Sequence, residues 1–503
     1  MARNEDMASM NEAPERIAQF DDKSSKEELF KQIKGAKERI AQFQSSKPKI
    51  QRVPYMLRDH PNFEKYSEKY YEPRAVAIGP FHHGKPRCQL AEKFKLALAD
   101  KFIKDSGSQV EDLHKIIEVN INTLKDCYDE EATRSYTDEA LTNLLFLDGC
   151  STLQFIYSLM ENELASFNIK RDQVAFAEQD LFLLENQLPY QVLKLLMSLS
   201  DKERDLKNAI DGFVGRNIMA AGKKWKWHKH KKTSEPGDGV IDMEHKKTRQ
   251  PGDGVIDMEE PTHLLGLLRT EMLGPPKSVA EETKDKHRRQ SFRNIQELKP
   301  AGIHLRRSKT GTLRDISFTQ PRGLLGFVGF LYLPPISVDD SMRPKFLNLI
   351  AYEMCPDFQN DFGVTSYICF LDSLIDHADD VKQLRSARVL HNLLGSDEEV
   401  AQLFNEIGTD LVPNSETYRS VKSKLEKHYK NRGKTWMAQF CHDHFSSPWT
   451  ILAFLGVLAA LGLSGIQTWY TINSPSSACE LEETAKNRVM HTHRGTKIKF
   501  GSS

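Results

Sequence analysis

The sequence predicts a mainly α protein: a helical bundle body fronted by an irregular Pro-rich segment, interrupted by a disordered insert and closed by one C-terminal transmembrane helix. Three observations carry this. Apolar residues recur at three-to-four spacing through most segments between Leu90 and Ile407, the signature of amphipathic helices. A fifteen-residue unit is repeated in tandem, as HKKTSEPGDGVIDME (His230–Glu244) and HKKTRQPGDGVIDME (His245–Glu259). Finally, no Asp, Glu, Lys, Arg or His occurs from Phe445 to Cys479.

The chain of 503 residues is long enough for two to four packing units at about 150 residues each. Its hydrophobic fraction of 39% excludes a wholly disordered protein and a multi-span transporter. Lys+Arg and Asp+Glu both number 70, for a net charge of +0. No global field therefore calls for nucleic acid or an acidic substrate, and any electrostatic function is local. The 7 cysteines form no CxxC pair and no regular framework, which fits reduced thiols in a cytosolic compartment. The N-terminus carries Glu5 and Asp6 and no apolar run, so no secretory signal peptide is expected.

Taken in order, residues 1–45 read as an amphipathic helical extension: Leu29, Phe30, Ile33, Ala36, Ile40 and Phe43 share one helical face behind a cap at Ser24 or Ser25. The hexapeptide ERIAQF occurs twice here, at Glu15–Phe20 and Glu38–Phe43, as a local duplication. Residues 46–215 form the first helical half of the body. It opens with Ile50–Pro86, where Pro54, Pro61, Pro73, Pro80 and Pro86 predict short extended pieces and turns. Helices are then expected over Leu90–Ile103, Glu111–Tyr128, Glu139–Leu159, Phe176–Leu199 and Leu206–Phe213. The third is apolar on much of its surface and belongs near the bundle core.

Residues 216–262 change character. Two repeat copies cannot bury a continuous core, since solenoids need at least three, so the region reads as a disordered loop insertion. The second helical half, 263–447, contains a polar, basic linker at 274–314. Helical patterns return at His263–Leu268, Met342–Cys355, Thr365–Ile375, Val381–Leu394 and Glu398–Ile407, while Leu324–Leu333 is a buried strand or a short core segment. In the last span, 448–472, Trp449–Ile472 reaches about 36 Å as a helix, enough to cross a hydrocarbon core of about 30 Å. Trp449, Trp469 and Tyr470 stand where interfacial rings belong. Lys430, Arg432 and Lys434 before the span, against Lys486 and Arg488 after it, favour a cytosolic body with a short tail, 473–503, beyond the membrane.

Several blocks read together resemble one family. VAIGPFHHG (Val76–Gly84), FLDGC (Phe146–Cys150), DLFLLENQLPY (Asp180–Tyr190), HLLGLLR (His263–Arg269), SDEEVAQLFN (Ser396–Asn405) and Pro448-Trp449-Thr450 stand in the order found in the plant domain-of-unknown-function 247 family. The resemblance runs from about Val53 to Ile472. It implies a plant, mostly helical, single-span membrane protein with no established catalytic residues; some members are associated with pollen recognition in grass self-incompatibility. The duplicated Pro-Gly-Asp-Gly insert departs from the family's usual pattern.

Few residues point to chemistry. Phe81-His82-His83-Gly84 reads as a turn whose imidazoles bond nearby carbonyls, because adjacent His side chains diverge and no HExxH partner follows. Asp148 and Glu185 lie in apolar helical runs, where carboxylates are satisfied by an Arg or a helix N-terminus, and Glu185-Asn186-Gln187-Pro189 shapes a helix junction. The DGVID of each repeat lacks the remaining ligands of a calcium loop. Gly323, Gly326 and Gly329 permit close packing, and Cys441-His442-Asp443-His444 is a polar collar next to the membrane. No catalytic, cofactor or metal residues are assigned.

Two candidate sites remain. Lys223, Lys224, Trp225, Lys226, Trp227, Lys229, Lys231 and Lys232 form a basic, Trp-bearing tract suited to an anionic membrane surface, with nucleic acid the less favoured partner. Ser291, behind Arg288 and Arg289, matches a basophilic kinase site. The expected function is a membrane-anchored interaction or signalling protein with an unknown protein partner and no enzymatic activity, the body facing the cytosol, on the plasma membrane or another membrane. The alternative is an enzyme with an unrecognised helical active site.

Overall fold

The computed structural model describes residues 29–31, 33–36, 48–58, 63–218, 260–275, 294–321, 328–359, 361–430 and 448–473. The body is mainly helical, as the apolar spacing predicts. Its first half comprises α1 (Phe63–Tyr70), α2 (Gln89–Ser106), α3 (Val110–Val119), α4 (Asp138–Met160), α5 (Arg171–Asp180), α6 (Tyr190–Ser198) and α7 (Glu203–Asn217). The Pro-rich segment is not wholly irregular, because α1 lies within it. Phe63–Tyr70 holds no proline, and Tyr70 is buried.

Helix α4 is the axis of this half. Thr137 caps it, its side chain accepting from Ala140 N at 3.2 Å, and Asp138 and Glu139 in the first turn complement the helix dipole. Helices α2, α3, α6 and α7 all pack on it, which is why it is apolar nearly all round. Gly149 sets the closest crossing: a Cβ there would stand 2.6 Å from Leu196 Cδ1 and 2.8 Å from Val192 Cγ1 of α6.

Two expected helices are broken. Glu111–Tyr128 divides at Asn120 into α3 and a short helix, Ile121–Lys125, and Asn120 Nδ2 donates to Ile116 O at 2.7 Å, a side-chain bond that competes with helix continuation. Phe176–Leu199 divides more deeply. Between α5 and α6 the chain is irregular from Leu181 to Pro189, so the ENQ-Pro set forms the junction its sequence predicts.

The second half holds α8 (Leu264–Leu273), α9 (Met342–Glu353), α10 (Gly363–Asp372), α11 (Ala378–Ser386), α12 (Asp397–Gly408) and α13 (Arg419–Lys430). It also holds β1 (Ile303–Arg307), β2 (Ser317–Thr319) and β3 (Gly329–Leu333), a sheet ordered β1-β3-β2, with β1 parallel and β2 antiparallel to β3. A second, parallel pair joins β4 (Ile336–Val338) to β5 (Leu390–Asn392). Two expectations are corrected here. The stretch read as polar linker contains β1 and buried Ile303 and Leu313, and the segment Val381–Leu394 ends as a strand, because Arg388 takes a positive φ of 57° that stops the helix. At Gly329 a Cβ would stand 2.5 Å from the Phe318 ring, the close packing expected there; Gly323 and Gly326 lie outside the described residues.

One hydrophobic cluster runs from Ile50 to Leu425 and takes in both halves. Asn348 of α9 is a buried cross-link: its Oδ1 accepts from Leu184 N at 2.8 Å and its Nδ2 donates to Tyr70 O at 2.8 Å. Residues 49–51 are fastened to both sides. Ile50 N donates to Cys127 O at 2.8 Å, while Lys49 N and Gln51 Nε2 donate to the Asp357 carboxylate at 2.7 and 2.5 Å. The helix expected to span a membrane is α14 (Pro448–Ile472).

Candidate functional site

Four of the six blocks, Val76–Gly84, Phe146–Cys150, Asp180–Tyr190 and His263–Arg269, meet at one buried polar hub. Residues 74–79 run between α2, α4 and α5 with no strand beside them, so their N–H groups need other acceptors. Side chains supply them. Asp180, at the end of α5, accepts from Arg74 N at 3.0 Å, Ala75 N at 2.6 Å and Val76 N at 2.9 Å. Asn186 Oδ1 accepts from Ile78 N at 2.8 Å, and Asp148 Oδ2 from Gly79 N at 2.8 Å. Gly79 has φ +68, and a Cβ there would stand 2.6 Å from Gln187 O, so the position demands glycine.

The junction residues complete the hub. Asn186 Nδ2 donates to Val76 O and Asp180 O, and Gln187 Nε2 to Leu181 O and Leu183 O. Gln187 Oε1 accepts from Leu265 N at 3.1 Å, tying the start of α8 to the first half. Glu185 Oε1 accepts from Val53 N at 2.9 Å. Desolvation holds the Asp180 carboxyl above its ordinary range despite three N–H donors, and it raises Glu185 likewise against Val53 N–H and Arg52.

Beneath Gly79 lies a buried ion pair. Lys95 Nζ of α2 is 2.6 Å from Asp148 Oδ1 of α4 and 2.8 Å from Glu92 Oε1, and both Lys95 and Asp148 are almost entirely enclosed. Burial works against the charged lysine, but Asp148 and Glu92 outweigh it and its pKa is raised; at Asp148, desolvation prevails and lifts the carboxyl. Sequence reasoning expected Asp148 to be satisfied and did not find its partner. The signal was Lys95 itself, standing in the buried stripe of α2 with Leu98, Ala99 and Phe102.

His82 departs from expectation. It is buried, its Nε2 is 3.5 Å from Glu185 Oε2, and neither ring nitrogen forms a hydrogen bond among the described residues. Desolvation, with Lys85, Arg52 and Arg87 nearby, depresses its pKa to about 3, so the ring is neutral. His83 beside it is exposed. His263 is also buried, with its pKa depressed by desolvation to about 3. Its Nδ1 accepts from Gly266 N at 3.0 Å and caps α8. Six residues on, Arg269 pairs with buried Glu353 at 2.7 Å, and Glu353 also accepts from Val364 N and Thr365 N.

The tract Lys223–Lys232, Ser291, both DGVID copies and Cys441–His444 lie outside the described residues. Among the described residues no group of three His, Cys, Asp or Glu is arranged to hold a metal ion, and Cys88, Cys127, Cys150, Cys355 and Cys369 are free thiols.

A helical body stapled by a buried acid–amide hub and followed by one long apolar helix defines an architecture, not a reaction. The chain belongs to the plant domain-of-unknown-function 247 family: the family model, described as a plant protein of unknown function, matches residues 50–463. That match begins at Ile50, where the packed core begins. Among curated proteins, the chain is similar to the UPF0481 protein At3g47200 of Arabidopsis thaliana, 26% identical over 437 residues, covering 82% of this chain and 85% of that protein. It is also similar to the putative UPF0481 protein At3g02645 of the same plant, 21% identical over 481 residues, covering 80% and 87%. No solved structure matches the chain significantly.

Proposed function

We propose that the protein is a single-span, membrane-anchored interaction or signalling protein whose helical body faces the cytosol, engages a protein partner and performs no catalysis. The observation that carries the anchor is the surface of α14. Leu452–Ile472 is long and apolar enough to cross a membrane and 0% of its apolar window is buried. A core helix of the body would bury such residues, yet Leu452, Phe454, Leu455, Val457 and Leu461 are all about half exposed or more. An apolar surface of that extent needs an apolar environment. The basic tract Lys223–Lys232 would lie on the anionic leaflet of the same membrane, where each cation is worth about 1 kcal/mol. The link some family members have with pollen recognition is in keeping with a protein partner.

The enzyme alternative has less support. Asp148, Asp180 and Glu185 are the carboxylates most displaced from solvent in the hub, and each already accepts backbone N–H groups or an ammonium, which suits them to holding chain segments together. The test is carbonate-washed fractionation of the full chain beside one stopped after Ser447, both expressed in plant cells. The full chain should stay in the membrane pellet and the shortened chain should leave it. Retention of the shortened chain would overturn the single-anchor reading.

A further inference from the structure

We propose that a cavity beside the hub binds a small aromatic carboxylate, with the ring in the apolar interior and the carboxylate on Arg74. The cavity, of about 160 Å³, lies between α2, α4, α5 and residues 74–78. Its inner wall includes Ile78, Leu98, Phe155 and Leu181, all buried. Leu90 and Phe176 also line it and are 51% and 39% exposed, so they mark its mouth. An apolar cavity of about 150 Å³ stays dry and accepts a benzene ring. The volume therefore suits one ring with a substituent reaching the rim.

Charge selects the substituent. Arg74, Arg87 and Lys95 are among the described residues that line the cavity, and no Asp or Glu is. Two of these cations are already neutralised: Lys95 by Asp148 and Glu92, and Arg87 by Glu72 and Glu68. Arg74 is not. Its guanidinium bonds the neutral Gln179 amide and lies over the Phe176 ring, 4.3 Å from the centroid, and its side chain forms no ion pair among the described residues. The oxygens of Asp180, the neighbouring carboxylate, are held by the N–H groups of residues 74–76. A guanidinium fixed on a half-exposed aromatic face at the rim of an apolar pocket is placed to take a carboxylate through two parallel N–H donors. A cationic ligand would be repelled by Arg74, and a neutral one would leave Arg74 unused.

This site lies in the body and does not depend on the membrane anchor. The full chain in phosphatidylcholine nanodiscs is titrated with phenylacetate and, separately, with its neutral isostere phenylacetamide, with empty discs as the blank and isothermal calorimetry as the readout. Phenylacetate should bind saturably and at least tenfold more tightly than the amide. Arg74→Gln should remove that preference, and Ala91→Phe, which fills the cavity from a half-buried position on α2, should abolish binding of both. Absence of saturable phenylacetate binding overturns the proposal, as does equal affinity for acid and amide, or a folded Ala91→Phe chain that binds as the unaltered one does. The acid–amide comparison uses the unaltered chain, so it decides the matter even if a variant fails to fold.

Discussion

Replacing Lys95 by Met removes the cation from a carboxylate that has almost no contact with water. At the 2.6 Å separation of Lys95 Nζ and Asp148 Oδ1, an effective dielectric of about 20 gives a gross attraction on the order of 6 kcal/mol. Most of that offsets the desolvation of two ions, and removing one partner of a buried pair costs about 3–5 kcal/mol. Asp148 would keep its bond from Gly79 N–H but would have to become protonated or stay charged without a counter-ion. For a cooperative body of about 300 residues, the unfolding entropy near the midpoint is about 0.6 kcal/mol per kelvin, so Tm should fall by about 5–8 °C. Asp148→Asn leaves Lys95 with Glu92 alone and should also destabilise. The double variant should lose much less than the sum of the two, because no buried charge is left uncompensated and Glu92, which also loses Lys95, is partly exposed to water. Thermal unfolding of all four proteins in one detergent, followed by circular dichroism, measures the cycle. A Lys95→Met shift under 2 °C, or strict additivity in the double variant, would show that the pair does not hold α2 to α4.

Four other outcomes are expected. Gly79→Ala places a Cβ 2.6 Å from Gln187 O at φ +68 and should cost at least about 3 kcal/mol, whereas Gly84→Ala, at φ +80 with nothing within 4 Å, should cost only the conformational 1–2 kcal/mol or so; equal Tm shifts would contradict this. Because burial lowers His263 to about 3 in the folded chain, its contribution is intact above the unfolded pKa of about 6.5 and is lost as pH falls toward 3, about 2 kcal/mol being gone by pH 5. His263→Asn keeps a capping acceptor without the titration, so its Tm should decline less between pH 7 and pH 5, and an unchanged slope would exclude His263 as a source. The isolated Gly222–Glu260 peptide should sediment with phosphatidylserine vesicles, less so in salt and less so with both Trp changed to Ala; equal pelleting with neutral vesicles sinks the membrane-surface role. Phosphopeptide mapping from plant tissue should find Ser291 modified, and coverage of the peptide without modification refutes it.

What was legible in the sequence follows from how local each determinant is. Helix α4 could be read almost to its ends because Thr137, its acidic first turn and its apolar run are contiguous in the chain. The break between α5 and α6 was legible only in part: Pro189 marks the junction, but the irregular run before it is held by Asn186 and Gln187 bonding carbonyls one to six residues back, which the apolar spacing of Phe176–Leu199 conceals. Strand β1 was missed since its polar sequence, IHLRR, buries Ile303 but leaves His304, Arg306 and Arg307 exposed. Its pairing partner Gly329–Leu333 is distant in the chain. The hub was hidden for the same reason. Asp148 looks like an acid in a helix until Lys95 and Gly79, 53 and 69 residues earlier, are brought against it.

The fastening of Lys49 and Gln51 to Asp357 bears on how the protein is made. These contacts join residues 308 and 306 positions apart. At about 5–20 residues per second, the ribosome takes roughly 15–60 s to reach Asp357 after Gln51 has been synthesised. For all that time the leading end of the body lacks its final contact, and the apolar face it shares with the second half is open. Only about 115 further residues then bring the chain through α14, so closure of the body and completion of this long apolar helix fall within the same short interval. A nascent chain of this design exposes the apolar interface of its body well before it exposes its long apolar helix.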